Sequence, residues 1–271
     1  MTILNNAKIV CKDLKTLYSN NYKIFISIIS GFMLVFLIRS VLALLDALFA
    51  IDEYPIQRIL FMISSTCLII GLEIGFTKII FSALDAKKIL IHNIFNSFHL
   101  LGKYFQGLLC FYGIVLISTI PAIFFLYFQS SGDFFSLLYY SMEDPYFQEL
   151  VFSYFDLKNI LIVVLLLFLP IMYVCLRLFL WSYFVIDQEL SGYLAIKHSL
   201  KLTENKVSEI LCYLFLILLF NLFGLLSIIG ICFTIPLTYM FLCKYYRLLI
   251  VLDVSTLNKP VSLDETIPKK N

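Results

Sequence analysis

The chain has 271 residues, 61% of them hydrophobic, 17% aromatic and 14% charged, with a formal net charge of +2. Soluble domains carry about a quarter charged residues, and a mean hydropathy of +0.95 leaves too little polar surface to cover one water-soluble core. The composition points instead to long uncharged runs that need a non-aqueous solvent, and so small a net charge makes no case for nucleic acid.

Residues 1–23 are polar, with Lys8, Lys12, Lys15 and Lys23 against a single acid, Asp13. Ile9, Val10, Leu14 and Leu17 recur at a spacing that allows a short amphipathic helix on a membrane surface. Residues 24–49 form the first apolar run. Its length of about 26 residues makes a helix of roughly 39 Å, enough to cross a hydrocarbon core of about 30 Å with tilt. The run is longer than a signal-peptide core and no small-x-small site follows it, so it reads as an uncleaved first span.

A short acidic turn, 50–57, leads to the second span, 58–84, which carries Glu73 and Lys78. Residues 85–103 are too polar to cross. Ile91, Ile94, Phe95, Phe98 and Leu101 recur there at helical spacing, which predicts an interfacial amphipathic helix. Residues 104–128 form the third span. The polar stretch 129–158 is acidic and rich in Phe and Tyr, which predicts a loop lying on the membrane surface. The fourth span, 159–186, carries Pro170 and Arg177. A second amphipathic segment, 187–206, leads to a fifth span, 207–228, a turn at Gly230 and a sixth span, 231–252. The polar tail, 253–271, is expected to fray. The two amphipathic segments occupy matching places in a weak internal symmetry, although they share little sequence.

The basic residues give the orientation. With spans crossing alternately, one face collects Lys8, Lys12, Lys15, Lys23, Lys87, Lys88, Lys103, Lys197, Lys201, Lys206, Lys244, Arg247, Lys259, Lys269 and Lys270, and the other has only Arg58 and Lys158. By the positive-inside rule the first face is cytoplasmic. The expected fold class is therefore an all-α integral membrane protein. It is a single bundle of about six transmembrane helices with two cytoplasmic interfacial amphipathic helices and both termini in the cytoplasm.

Charges inside spans are the candidates for chemistry, because a central Arg, Lys or Asp costs about 2.5–3.5 kcal/mol on insertion scales. Arg39, Glu73 and Arg177 lie deepest. Glu73 and Arg177 fall about ten and nine residues before the cytoplasmic ends of their spans, at nearly equal depth, which predicts an ion pair between them. Such a pair either fixes helix packing, the commoner outcome, or forms a polar site for a lipid headgroup or a translocated solute. Lys87, Lys88, Lys103, Lys197, Lys201 and Lys206 are candidate contacts for anionic lipid, and ordinary positive-inside flanks would look the same.

Gly71 and Gly75 form a GxxxG pair, a motif frequent by chance in apolar helices. Pro121, Pro170 and Pro236 each remove a helical hydrogen bond. Of the seven cysteines, all but Cys11 lie in or beside apolar runs, with no CxxC among them, which reads as small apolar side chains rather than a disulfide framework. His92, His99 and His198 lack metal-ligand spacing, and no nucleotide, zinc-protease or nucleophile-elbow motif is present. No cofactor or metal is expected.

Pro170, Arg177, Tyr183, Val185, Asp187, Ala195-Ile196, Ser199, Leu202-Thr203, Ile210, Gly230, Pro236 and Tyr246-Arg247-Leu248 form an ordered series. It resembles a bacterial family of small multi-pass membrane proteins of unknown function, related to the membrane domain fused to some glycerophosphodiester phosphodiesterases. The resemblance covers about residues 160–250, and 85–128 more loosely through Phe95. The family pattern has Gly two residues after Leu-Thr, where this chain has Asn205, a residue that also tolerates a left-handed backbone. No polar region here is long enough to hold the phosphodiesterase domain, so the resemblance implies a membrane module without a transferred catalytic site.

Three functions are weighed on this footing. The first is a non-enzymatic accessory or scaffold protein of the bacterial cytoplasmic (inner) membrane that contacts lipids or an envelope partner. The second is a transporter or permease subunit with a midplane site around Glu73, Arg177, Arg39 and Asn221. An intramembrane lipid enzyme ranks last, since no nucleophile and base are paired.

Overall fold

A computed structural model describes residues 2–20, 22–49, 55–85, 87, 91–129, 157–226 and 228–257. No strand occurs among them. The helices are α1 (Thr2–Asn20), α2 (Tyr22–Phe49), α3 (Pro55–Leu84), a 3-10 helix (Ile91–Leu100), α4 (Leu101–Gln129), α5 (Leu157–Leu178), α6 (Trp181–Asp187), α7 (Gly192–Leu202), α8 (Val207–Leu225) and α9 (Ile228–Leu257).

Six of the described helices are long and apolar enough to cross a membrane: Tyr22–Leu48, Ile56–Leu84, His92–Gln129, Lys158–Asp187, Val207–Leu225 and Gly230–Asp253. They overlap the six expected spans, and large apolar side chains such as Leu44, Leu116, Phe128 and Phe223 point outward from them. A surface of that kind is stable only against hydrocarbon, so the chain is a multi-pass membrane protein. Residues 50–54 of the expected acidic turn and 130–156 of the expected long loop lie outside the described residues, as do Lys88 and the tail beyond Leu257, while 55–57, 129 and 157–158 belong to helices.

The helices gather into two compact units. The first comprises residues 1–101 and 214–271 and holds α1, α2, α3, the 3-10 helix, most of α8 and α9. Its core is built on α3, whose Leu72, Ile74, Phe76, Ile79, Ile80 and Phe81 are all buried. The second unit, 102–213, holds α4, α5, α6, α7 and the first residues of α8, around Leu178, Leu180, Trp181, Ile186, Ile196 and Tyr213.

Four local expectations are corrected. The segment expected as an α-helical amphipathic face is a 3-10 helix over Ile91–Leu100, which continues directly into α4. With three residues per turn, Ile94, Ser97 and Leu100 form its buried face, while Phe95 is exposed. This helix packs on the GxxxG pair of α3. A methyl added at Gly75 would lie 2.1 Å from the Ile94 carbonyl oxygen, and one at Gly71 would lie 2.6 Å from the Phe98 ring. Gly75 therefore admits the backbone of the 3-10 helix at close range, and Gly71 admits its Phe98 ring.

The fourth span is also not continuous, since α5 ends at Leu178 and α6 begins at Trp181. The turn between the last two spans falls after Leu225, which places Gly230 inside α9. Gly224 is the glycine used at that crossing, where an added methyl would lie 2.3 Å from Thr234 Oγ1. Finally, the second amphipathic segment, expected to place Leu194, Ala195, His198 and Leu202 on one face at i, i+4 spacings, forms α7, which buries Ala195, Ile196, Ser199 and Leu202 and leaves Leu194 and His198 exposed.

Ser191 is the N-cap of α7, extended at φ −64° and ψ 150°, without a side-chain cap bond. Asn205 adopts the expected left-handed conformation, with φ 58°.

Candidate functional site

In the first unit, Arg39 of α2 meets Glu73 of α3, with Nη1 donating to Oε1 at 3.1 Å. Glu73 lies 11 residues before the end of α3, about 16 Å along the helix axis, and that depth calls for a counter-charge. Its partner is Arg39 rather than the expected Arg177. The two side chains remain 63% and 43% exposed, so the pair sits at the surface of the helices and not within a packed interior.

Arg177 has a different role, entirely within the second unit. Its Nη2 donates to the Leu200 carbonyl at 2.8 Å, and its guanidinium lies 6.0 Å from the Tyr173 ring centroid. In an unbroken helix the Arg177 carbonyl would accept from the Trp181 N–H. The break at residues 179–180 removes that geometry, and two hydroxyls of α7 and its end replace it. Ser199 Oγ donates to the Arg177 carbonyl at 3.0 Å. Thr203 Oγ1 lies 2.9 Å from the same oxygen and 2.8 Å from Ser199 O, sharing its one proton between them. Both hydroxyl residues are fully buried. Backbone freed within a span needs this kind of local satisfaction.

The far end of α7 is fixed as tightly. Gly192 N donates to Gln106 Oε1 at 3.2 Å, and Lys103 Nζ donates to the Glu189 carbonyl at 2.6 Å. Trp181 lies over Gly107, where an added methyl would come within 2.3 Å of the indole. Residues 177–206 thus form a rigid elbow, hydrogen-bonded to α5 at one end and to α4 at the other. Thr203→Val keeps the shape but removes the shared proton, and should cost about 1–3 kcal/mol in thermal unfolding of the detergent-solubilised chain. Thr203→Ser should cost much less.

The other face of the elbow is open. Tyr193, Leu194, Lys197, His198 and Lys201 are exposed. Of the remaining basic candidates, Lys87 is exposed and pairs with Asp85 at 3.4 Å, Lys103 is engaged in the elbow, and Lys206 is half-buried.

Two further ion pairs, also unanticipated, lie in the first unit. The Arg247 guanidinium grips the Asp85 carboxylate with both nitrogens, Nη2 to Oδ2 at 3.3 Å, and its central carbon lies 4.9 Å from the Phe81 ring centroid. Lys244 Nζ lies 2.9 Å from Asp13 Oδ2, tying α1 to α9. Asp13, Lys244 and Arg247 lie within their helices and Asp85 just beyond α3, so no spacing along the chain announced either pairing.

Arg247's hydrogen bond holds the Asp85 carboxyl below the ordinary carboxylate range, against the opposing effect of partial burial and with added attraction from Arg247 and Lys87. A carboxyl lowered on folding contributes stability above its unfolded pKa and loses that contribution as pH falls through the folded value. The pair is part-exposed, so its worth is about 1 kcal/mol after solvent screening. Asp85→Asn should flatten the acid limb of a melting-temperature profile while leaving its slope at neutral pH unchanged.

Among the described residues, no group of three or more His, Cys, Asp or Glu side chains is placed to hold a metal ion. No family model, curated protein or solved structure matches the chain.

Proposed function

We propose that the protein is a non-enzymatic accessory or scaffold module of the bacterial cytoplasmic membrane, whose elbow presents a basic, aromatic-edged surface to anionic lipid headgroups or to an envelope partner. The observation that carries this reading is the two-sidedness of α7. One face is locked by Ser199, Thr203 and Gly192, and the other offers Tyr193, Lys197 and Lys201 with their side chains exposed. A rigid helix that keeps its basic residues outward suits the cytoplasmic surface, where each lysine near anionic lipid contributes about 1 kcal/mol. The distribution of basic residues supports cytoplasmic termini. Asn205 in its left-handed turn is compatible with membership of the family that the elbow motif resembles.

A photoreactive amino acid at Tyr193, activated in native membranes, should crosslink anionic phospholipid or one envelope protein. Lys197→Glu/Lys201→Glu should reduce that yield roughly tenfold or more. Crosslinking no greater than from an outward position on a span, such as Leu165, would reject the reading.

A transporter subunit is the second reading, and the exposed Arg39–Glu73 pair favours it. It requires solute flux that Glu73→Gln abolishes in proteoliposomes.

A further inference from the structure

In the first unit an apolar cavity of about 340 Å³ lies between α1, α8 and α9. Cys11 and Leu14 of α1, Ile217 and Phe220 of α8, and Leu237 and Phe241 of α9 line it. Its volume falls at the low end of the range for small-molecule sites, about 300–1,000 Å³. The one hydroxyl at the wall is already engaged: Thr238 Oγ1 donates to Thr234 O at 2.8 Å and accepts from Asn221 Nδ2 at 3.1 Å. Among the described residues of the lining, the Cys11 thiol, a weak hydrogen-bonding group, is the other polar side chain, and water needs two to four polar partners to occupy such a site. In a membrane protein, hydrocarbon is the medium that fills an apolar groove of this size.

The helix that covers the groove is charged asymmetrically. Lys8, Lys12 and Lys15 stand at i, i+4 and i+7 and are exposed, so they form one stripe. Cys11 falls at the edge between that stripe and the groove. The only acid of α1, Asp13, is turned to Lys244 at 2.9 Å. That pair pins α1 to α9 and keeps the carboxylate from neutralising the stripe. An apolar slot lined by Cys11 and Leu14 of a helix that also carries three exposed lysines is complementary to a lipid with a hydrocarbon tail and a negative headgroup.

We propose that this groove is a binding site for one anionic phospholipid, with an acyl chain in the slot and its phosphate on Lys8, Lys12 and Lys15. The site rests on the membrane setting adopted above but is separate from the elbow surface.

The test is native mass spectrometry of the full chain in detergent, mixed with equimolar phosphatidylglycerol and phosphatidylcholine of identical acyl chains. One retained phosphatidylglycerol per chain is expected, preferred over phosphatidylcholine by roughly tenfold or more. Lys8→Gln/Lys12→Gln/Lys15→Gln, on an exposed face and harmless to folding, should equalise the two headgroups. Ile217→Trp fills the slot and should reduce retention of both. All of these comparisons are made in the Lys197→Gln/Lys201→Gln background, which removes the elbow's headgroup contacts, so that failure of the elbow reading and failure of this one are told apart. Equal retention of both lipids with Lys8, Lys12 and Lys15 in place would overturn the site, as would a phosphatidylglycerol preference that survives the triple lysine change.

Discussion

Gly192→Ala is expected to destabilise the second unit by about 3 kcal/mol, toward the upper end of the usual cost of overpacking. The added methyl would lie 2.1 Å from Gly107 N, 2.5 Å from its Cα and 2.7 Å from the Gln106 carbonyl carbon. These are backbone atoms of α4 that no rotamer change can move aside. Gly75→Ala should do the same in the first unit, where the Ile94 backbone stands in the way. Gly102→Ala and Gly113→Ala are the matched controls. Nothing lies within 4 Å of either added methyl, and alanine is the better helix former by about 1 kcal/mol, so both should be neutral or stabilising. The measurement is the melting midpoint of each purified variant in one detergent. If Gly192→Ala melts with Gly102→Ala, the elbow does not rest on α4.

Reversing either charge of the Arg39–Glu73 pair should be comparably damaging. Each single change sets two like charges against each other where an ion pair now spans 3.1 Å, in a segment where one uncompensated charge costs about 2.5–3.5 kcal/mol. Arg39→Glu or Glu73→Arg alone should sharply lower the amount of folded protein in membranes. The double exchange should recover most of it, because the two positions face each other. Combining Glu73→Arg with Arg177→Glu should give no rescue, since Arg177 is held by the Leu200 carbonyl. Rescue by that second combination, and not by the first, would restore the pairing that depth alone suggested.

That contrast shows how far the sequence could be read. The six spans were legible because hydrocarbon thickness sets the length of an apolar run, and the depth of Glu73 followed from counting residues. Depth is only one coordinate, however. Which charge lies beside Glu73 depends on which faces of α2 and α3 meet, and apolar stretches as uniform as these carry little rotational signal. The GxxxG pair was visible, but its partner was not, because a ten-residue 3-10 helix is rare. The three-residue spacing of Ile94, Ser97 and Leu100 was the available sign.

The break after Leu178 has no proline or glycine at it, so nothing local announced it. The hydroxyls at Ser199 and Thr203, spaced i, i+4 on the side of α7 that is buried, were its trace in the sequence. Asn205 was legible throughout, since few residue types accept its left-handed backbone.

The elbow, α1 and the tail should all lie on the cytoplasmic side, and a side-specific label tests this most directly. In the Cys11→Ser background, Lys197→Cys should react with a membrane-impermeant maleimide in inside-out vesicles and stay unlabelled in intact spheroplasts, while Asp133→Cys should show the reverse. Labelling of Lys197→Cys from the outside of spheroplasts would contradict the orientation, and with it the assignment of the basic elbow to the cytoplasmic lipid surface.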